Sequence, residues 1–285
     1  MNRIHTGLIA LLTLTAGAAG GDEEPKNLLF FGNSFTGSGG GVHRIVQDIA
    51  EAAGHARPHV YGQVIGGVSL QYHLDNSTAV ITNGIPPGRN WDNVIMQEFS
   101  TRPTTHPTLG NPQAFFDASA ALYQQVLNHS SEAKAVLFET WARAPGHEFY
   151  PGIWNVPAEM QKELRTNYNI ANDNLNAAHG AGASEVARVG DAFELGSFDV
   201  GLYGGDLYHA SNRGALLISL VLYGTIYDDV TTSDIDLTEI ATGLGLDAAD
   251  IAIVTDLADR TLVPAPGALA PLAMGGLVAT RRRRR

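Results

Sequence analysis

Short, continuously apolar runs alternate along the chain with longer stretches in which apolar residues recur at helical spacing. Asn27 to Gly32 (NLLFFG) is a short apolar run ending in glycine; His59 to Ile65, Asn93 to Gln97 and Ala133 to Thr140 repeat the form, and Glu185 to Val189 is a weaker fifth run. Runs of this length bounded by turn residues predict strands buried on both faces. Between them, Val42 to Ala53, Pro112 to Asn128, Ala158 to Ala178 and Asn212 to Tyr227 predict helices. Strands separated by helices imply an α/β fold, with a parallel five-stranded sheet covered by helices on both faces and reacting groups at the carboxyl ends of the strands. No internal repeat or low-complexity linker interrupts residues 22–262, which therefore read as one domain.

The two ends depart from this alternation. Residues 1–18 combine a short polar start containing Arg3, an apolar core from Gly7 to Thr15 and the small-residue run Ala16-Gly17-Ala18. That order predicts a secretory signal peptide with an A-x-A cleavage site. Residues 263–285 run from Val263-Pro264-Ala265-Pro266 through a short apolar segment, interrupted by Pro271, into Arg281 to Arg285. The segment falls short of the roughly 20 residues of a spanning helix. Motif, apolar segment and arginine cluster together resemble the PEP-CTERM sorting signals read by exosortases of Gram-negative bacteria, with Ala265 where the family usually has glutamate. The resemblance implies export to the cell envelope or extracellular surface and an exosortase-type processing partner; a plain hydrophobic tail anchor leads to the same side of the membrane.

Composition removes several chemistries. Among 285 residues there is no cysteine, so disulfides, thiolate nucleophiles and cysteine metal sites are excluded. A net charge of -11, with Arg3 and the five terminal arginines at the extremes, argues against nucleic-acid partners. Asp228, Asp229, Asp234 and Asp236 do not follow a calcium-loop spacing and read as a solvated acidic loop. No cofactor and no metal is expected.

Serine, histidine and carboxylate chemistry remains. The first strand runs into Gly32-Asn33-Ser34-Phe35-Thr36, which places Ser34 at a strand-to-helix turn. There its hydroxyl can act as a nucleophile and its N–H can face a carbonyl oxygen, although a serine after a strand also serves as a helix N-cap. The glycines of Gly37 to Gly41 lack the lysine of a phosphate-binding loop and suit a flexible lip to a cleft. Far downstream, Asp206-Leu207-Tyr208-His209 precedes an apolar helix. A carboxylate three residues before a histidine can hold one ring nitrogen and leave the other free to take a proton. Trp141 and Arg143 follow the fourth strand on the same side of the sheet, where they suit substrate binding, although a core tryptophan is equally compatible. His147 and Trp154 lie in a Gly/Pro-rich loop that could cover a site.

Gly32-Asn33-Ser34-Phe35-Thr36, Gly66-Gly67 after the second strand and Asp206-x-x-His209 near the end resemble, in order and spacing, the SGNH/GDSL hydrolases. The resemblance implies a three-layer flavodoxin-like fold with strand order 2-1-3-4-5. It also implies Ser34 as nucleophile, His209 as base and then acid, Asp206 as its orienter, and an oxyanion hole that includes the N–H groups of Ser34 and Gly67. The family's Gly-x-Asn-Asp block is absent; Gln97-Glu98-x-Ser100 is similar to the block of sialate acetylesterase-like members, which makes the Gln97 amide the third oxyanion donor. The implied protein is a secreted serine esterase acting on an acylated small molecule or polysaccharide, with acetyl groups on carbohydrate favoured. The alternatives are a lipase- or thioesterase-like enzyme and a non-catalytic surface scaffold. If the ends are processed as read, mass spectrometry of material from its native envelope will show a start near Ala19 and loss of Arg281 to Arg285; full-length protein in the cytoplasm would contradict both readings.

Overall fold

The computed structural model describes residues 24–263; the leader read at 1–18 and the tail from 264 onward lie outside them. β1 (Asn27–Gly32), β2 (His59–Val64), β3 (Asn93–Met96), β4 (Lys134–Phe138) and β5 (Ser184–Ala187) form one parallel sheet in the order β2-β1-β3-β4-β5. Among the described residues, nine α-helices are interleaved: α1 (Val42–Ala52), α2 (Leu70–Asn76), α3 (Val80–Asn83), α4 (Pro112–Leu127), α5 (Pro157–His179), α6 (Val189–Leu195), α7 (Asn212–Tyr227), α8 (Thr238–Gly243) and α9 (Ala248–Leu262).

The period of two along each strand divides the core between the two faces of the sheet. Leu28, Phe30, Ile95, Val136 and Phe138 pack toward α1, α6, α7 and α9. Leu29, Phe31, Val94, Met96, Ala135 and Leu137 pack toward α2, α4 and α5. All six residues of β1 are buried because it lies inside the sheet between β2 and β3, so its apolar run needs no polar face. α7 is buried around most of its circumference, wedged between α1 and α9. Its start is fixed by Ser211, whose hydroxyl accepts from the N–H of Gly214 at 3.1 Å.

Two features shape the carboxyl edge. The segment expected to be a flexible lip is instead a tight descent into α1: Gly39, Gly40 and Gly41 have φ of 61°, 83° and 119°, in the left-handed range that glycine adopts without strain. The N–H of Val42 then returns to the carbonyl of Thr36 at 2.9 Å. On the far side, α7 crosses so close to the preceding segment that a Cβ on Gly214 would lie 2.1 Å from the carbonyl oxygen of Leu202. The same carbonyl accepts from the N–H of Ser211 at 3.0 Å, so this crossing sets where residues 203–211 leave the core.

Gly214→Ala is therefore expected to destabilise the fold by about 1–3 kcal/mol, the usual result of overpacking against backbone that cannot move aside. Gly243→Ala, on an exposed helical glycine with nothing within 4 Å, is expected to be neutral or stabilising. Thermal denaturation of the two variants checks the contrast.

Candidate active site

The site begins at the end of β1. Asn33, Ser34 and Phe35 form a turn whose buried backbone has no helix or sheet partner of its own, and a side chain from the end of β3 supplies one. Oε1 of Gln97 accepts from the N–H of Asn33 at 2.9 Å, the N–H of Thr36 at 3.3 Å and the hydroxyl of Thr36 at 3.0 Å. Those donors fix which end of the amide is oxygen. Gly32 is required beneath this cluster, since a Cβ there would stand 2.1 Å from Thr36 Oγ1. Asn33 closes the turn with its own side chain, accepting from the N–H of Phe35 at 3.1 Å and donating to the carbonyl of Val68 at 2.9 Å. The second contact ties the Gly66-Gly67 segment after β2 to the Ser34 turn.

Ser34 is half-buried, and Nε2 of His209 lies 2.9 Å from its Oγ. On the other side of the ring, Nδ1 lies 2.7 Å from Oδ2 of Asp206. A carboxylate only accepts, so Nδ1 carries the proton and the neutral ring presents Nε2 as acceptor for the serine hydroxyl. Asp206 also folds the loop around itself: Oδ1 accepts from the N–H groups of Tyr208 at 3.0 Å and His209 at 2.9 Å. Partial burial works against the charge of Asp206, but the hydrogen bonds from His209 and Tyr208 outweigh it and hold the carboxyl below the usual range. Gly67 is exposed with φ 74°. Among the described residues, neither its N–H nor that of Ser34 has an internal acceptor.

Three expectations change. The Gln97 amide nitrogen donates to the carbonyl of Glu98 and the side chain is buried, so it is not a free donor facing an oxyanion; its oxygen braces the serine turn instead. Trp141 is buried completely, stacked between Phe35 at 4.0 Å and Phe193 at 4.7 Å between ring centroids, with its Nε1–H donated to the carbonyl of Tyr208 at 3.1 Å. It supports the histidine loop from below and offers no face to a substrate. Arg143 is likewise buried, under the ring of Tyr208. Trp154 is buried and tied to α5 by donating Nε1–H to Glu163 at 2.9 Å.

No protein-family model matches the chain, and no curated protein matches it in sequence. Solved structures do. A candidate SGNH hydrolase from Slackia heliotrinireducens is 25% identical, with a TM-score of 0.56 over 71% of this chain and 99% of that one. A DUF4886 family protein from Bacteroides uniformis superimposes at TM-score 0.65 over 84% and 95% of the two chains, at 15% identity. A lipase/acylhydrolase from Enterococcus faecalis gives 0.53 over 74% and 97%, at 14% identity. The chain has the SGNH hydrolase fold.

Within that fold, three residues take supporting roles that the sequence patterns do not assign. His73 of α2 is buried and donates from Nε2 to the carbonyl of Gly32 at 3.0 Å, which identifies its tautomer; burial lowers its pKa and keeps it neutral. Glu98 accepts through Oε1 from the N–H groups of Phe99 at 2.6 Å and Leu70 at 3.3 Å, fastening the start of α2 to the end of β3. Burial pushes its carboxyl up to about 7, against the hydrogen bond from Phe99 and the nearby charge of Arg102. Tyr208 carries the contacts developed below. Glu98 and Tyr208 lie inside blocks the sequence singles out, but their supporting roles, like that of His73, depend on partners that only the fold brings near.

Gln97→Ala separates a brace from an oxyanion donor. Leaving the buried N–H groups of Asn33 and Thr36 without an acceptor costs about 1–3 kcal/mol each, or about 2–4 °C of melting temperature per kcal/mol in a domain of this size. The variant is expected to lose both stability and turnover; a fall in kcat with an unchanged melting temperature would restore the donor role.

Proposed function

We propose that the chain is a serine esterase in which Ser34 attacks the acyl carbonyl, His209 moves the proton and Asp206 orients His209. The observation that carries this reading is the pair of hydrogen bonds through one imidazole, 2.9 Å to Ser34 Oγ and 2.7 Å to Asp206 Oδ2.

The steps follow from the atoms in place. As Oγ of Ser34 bonds to the carbonyl carbon, its proton passes to Nε2 of His209, and the imidazolium is stabilised by Asp206. Negative charge collects on the former carbonyl oxygen, toward which the N–H groups of Ser34 and Gly67 are available. When the ester C–O bond breaks, His209 returns the proton to the departing alkoxide and an acyl-serine remains. Water then repeats the sequence, losing its proton to His209 and releasing the carboxylic acid, and Ser34 is regenerated. With Gln97 engaged elsewhere, the hole rests on two backbone donors.

The favoured substrates are acetyl esters of carbohydrate, the class that Gln97-Glu98-x-Ser100 suggests by resemblance, met outside the cell if the terminal segments act as read. Ser34→Ala is expected to lower turnover of a chromogenic acetyl ester by about 10³-fold or more with the fold intact, since a single member of such a set controls the rate. Labelling of Ser34 by a fluorophosphonate probe should disappear with it. Undiminished turnover in the purified variant would overturn the assignment, and preference for long-chain over acetyl esters would redirect the substrate.

A further inference from the structure

Arg143 is a buried cation with no carboxylate partner among the described residues. It is 4% exposed. Nη2 donates to Oγ of Ser100 at 2.9 Å, and Nη1 has no hydrogen-bond partner. What surrounds the charge is aromatic: Cζ lies 3.7 Å from the ring centroid of Tyr208, 5.4 Å from that of Phe149 and 5.9 Å from that of Phe35. Attraction to ring faces strengthens when water is excluded and offsets part of the cost of burying the charge. Burial draws the guanidinium down to about 10, so it stays charged at neutral pH.

The ring nearest that cation belongs to the residue before His209, and the two rings are 4.1 Å apart. Each of the four residues 141–144 grips the histidine segment. Trp141 donates to the carbonyl of Tyr208, the carbonyl of Ala142 accepts from the Tyr203 hydroxyl at 2.9 Å, Arg143 holds the Tyr208 ring, and the N–H of Ala144 donates to the carbonyl of Leu207 at 3.0 Å. The segment needs holding: Leu207 has φ 58°, a strained conformation for a bulky residue that persists only where the surroundings enforce it.

We propose that Arg143 is a positioning residue: anchored on Ser100, its guanidinium fixes the Tyr208 ring and through it the place of His209 relative to Ser34. The proposal rests on the reading of Ser34 and His209 as the reacting pair. Charge is essential to it, because an apolar side chain of similar length fills the space without holding the ring face or Ser100.

The test uses full-chain R143M, R143K, Y208L and the R143M/Y208L double variant. Four quantities are measured: the rate of fluorophosphonate labelling at Ser34, kcat and KM for a chromogenic acetyl ester, and the melting temperature. A displacement of about 1 Å at a reacting group costs about 10²-fold, so R143M and Y208L should each slow labelling and lower kcat by roughly tenfold to a hundredfold with KM little changed. The double variant should be no slower than the worse single variant, because both substitutions break one interaction. R143K should recover part of the loss by keeping a cation on the ring without the planar fork. If R143M does not fold, Y208L, altered at a partly exposed ring, and R143K carry the comparison. Wild-type labelling rates in folded R143M or Y208L, or losses that multiply in the double variant, would overturn the proposal. Failure of the probe to label Ser34 in the unaltered protein would instead overturn the reading of the site.

Discussion

The oxygen of one buried amide decides how β1 ends. A chain leaving the middle of a parallel sheet must turn with its N–H groups out of reach of water, and at Asn33 and Thr36 those groups find Oε1 of Gln97. Because Gln97 follows β3, the neighbour of β1, the brace is available only once those two strands are in register, Phe31 opposite Met96. Sheet pairing and placement of the Ser34 turn are thus one event. The Gly67 segment is drawn in by the same turn through Asn33, and again by Glu98 through Leu70, so the ends of three adjacent strands share a single hydrogen-bonded platform.

The histidine side is built differently. Its loop has little regular structure, and its shape comes from Asp206 wrapping two backbone N–H groups and from residues 141–144 pressing up from the end of β4. Trp141 links the halves, stacked against Phe35 on the serine turn while it supports Tyr208 on the histidine loop. The two halves are joined above by the Ser34–His209 bond and below by aromatic contact, an arrangement that limits both sliding and tilting.

Much of this was legible in the sequence, for identifiable reasons. Strands of a parallel sheet are short, mostly apolar runs set between helices, so all five strands, including the partly buried edges β2 and β5, and the helices α1, α4, α5 and α7 were found within a few residues. α2, α3, α6 and α8 are too short for periodicity to register. α9 was missed although Asp247 and Asp250 form a capping box at its start, a signal hidden among other acidic residues. The approach of His209 to Ser34 could be expected because loops at one sheet edge converge. The role of Gln97 was not readable: an amide donates from one end and accepts at the other, and only the positions of Asn33 and Thr36 show which end is used. Trp141 was ambiguous for a similar reason, since a place just beyond a strand does not reveal whether the side chain turns outward or back into the core.

Ser34 and His209 stand 175 positions apart in the chain. Helix α7, which begins three residues after His209, is buried almost entirely between elements from both ends of the domain. The place of the histidine loop therefore depends on α7, which packs against both α1 and α9. Closing contacts of such long sequence separation carries a loop-closure cost and slows folding. The meeting of Ser34 and His209 is thus a property of the finished fold, and a change in α7 or α9, far from Ser34 in the chain, reaches the pair through the packing of the C-terminal third.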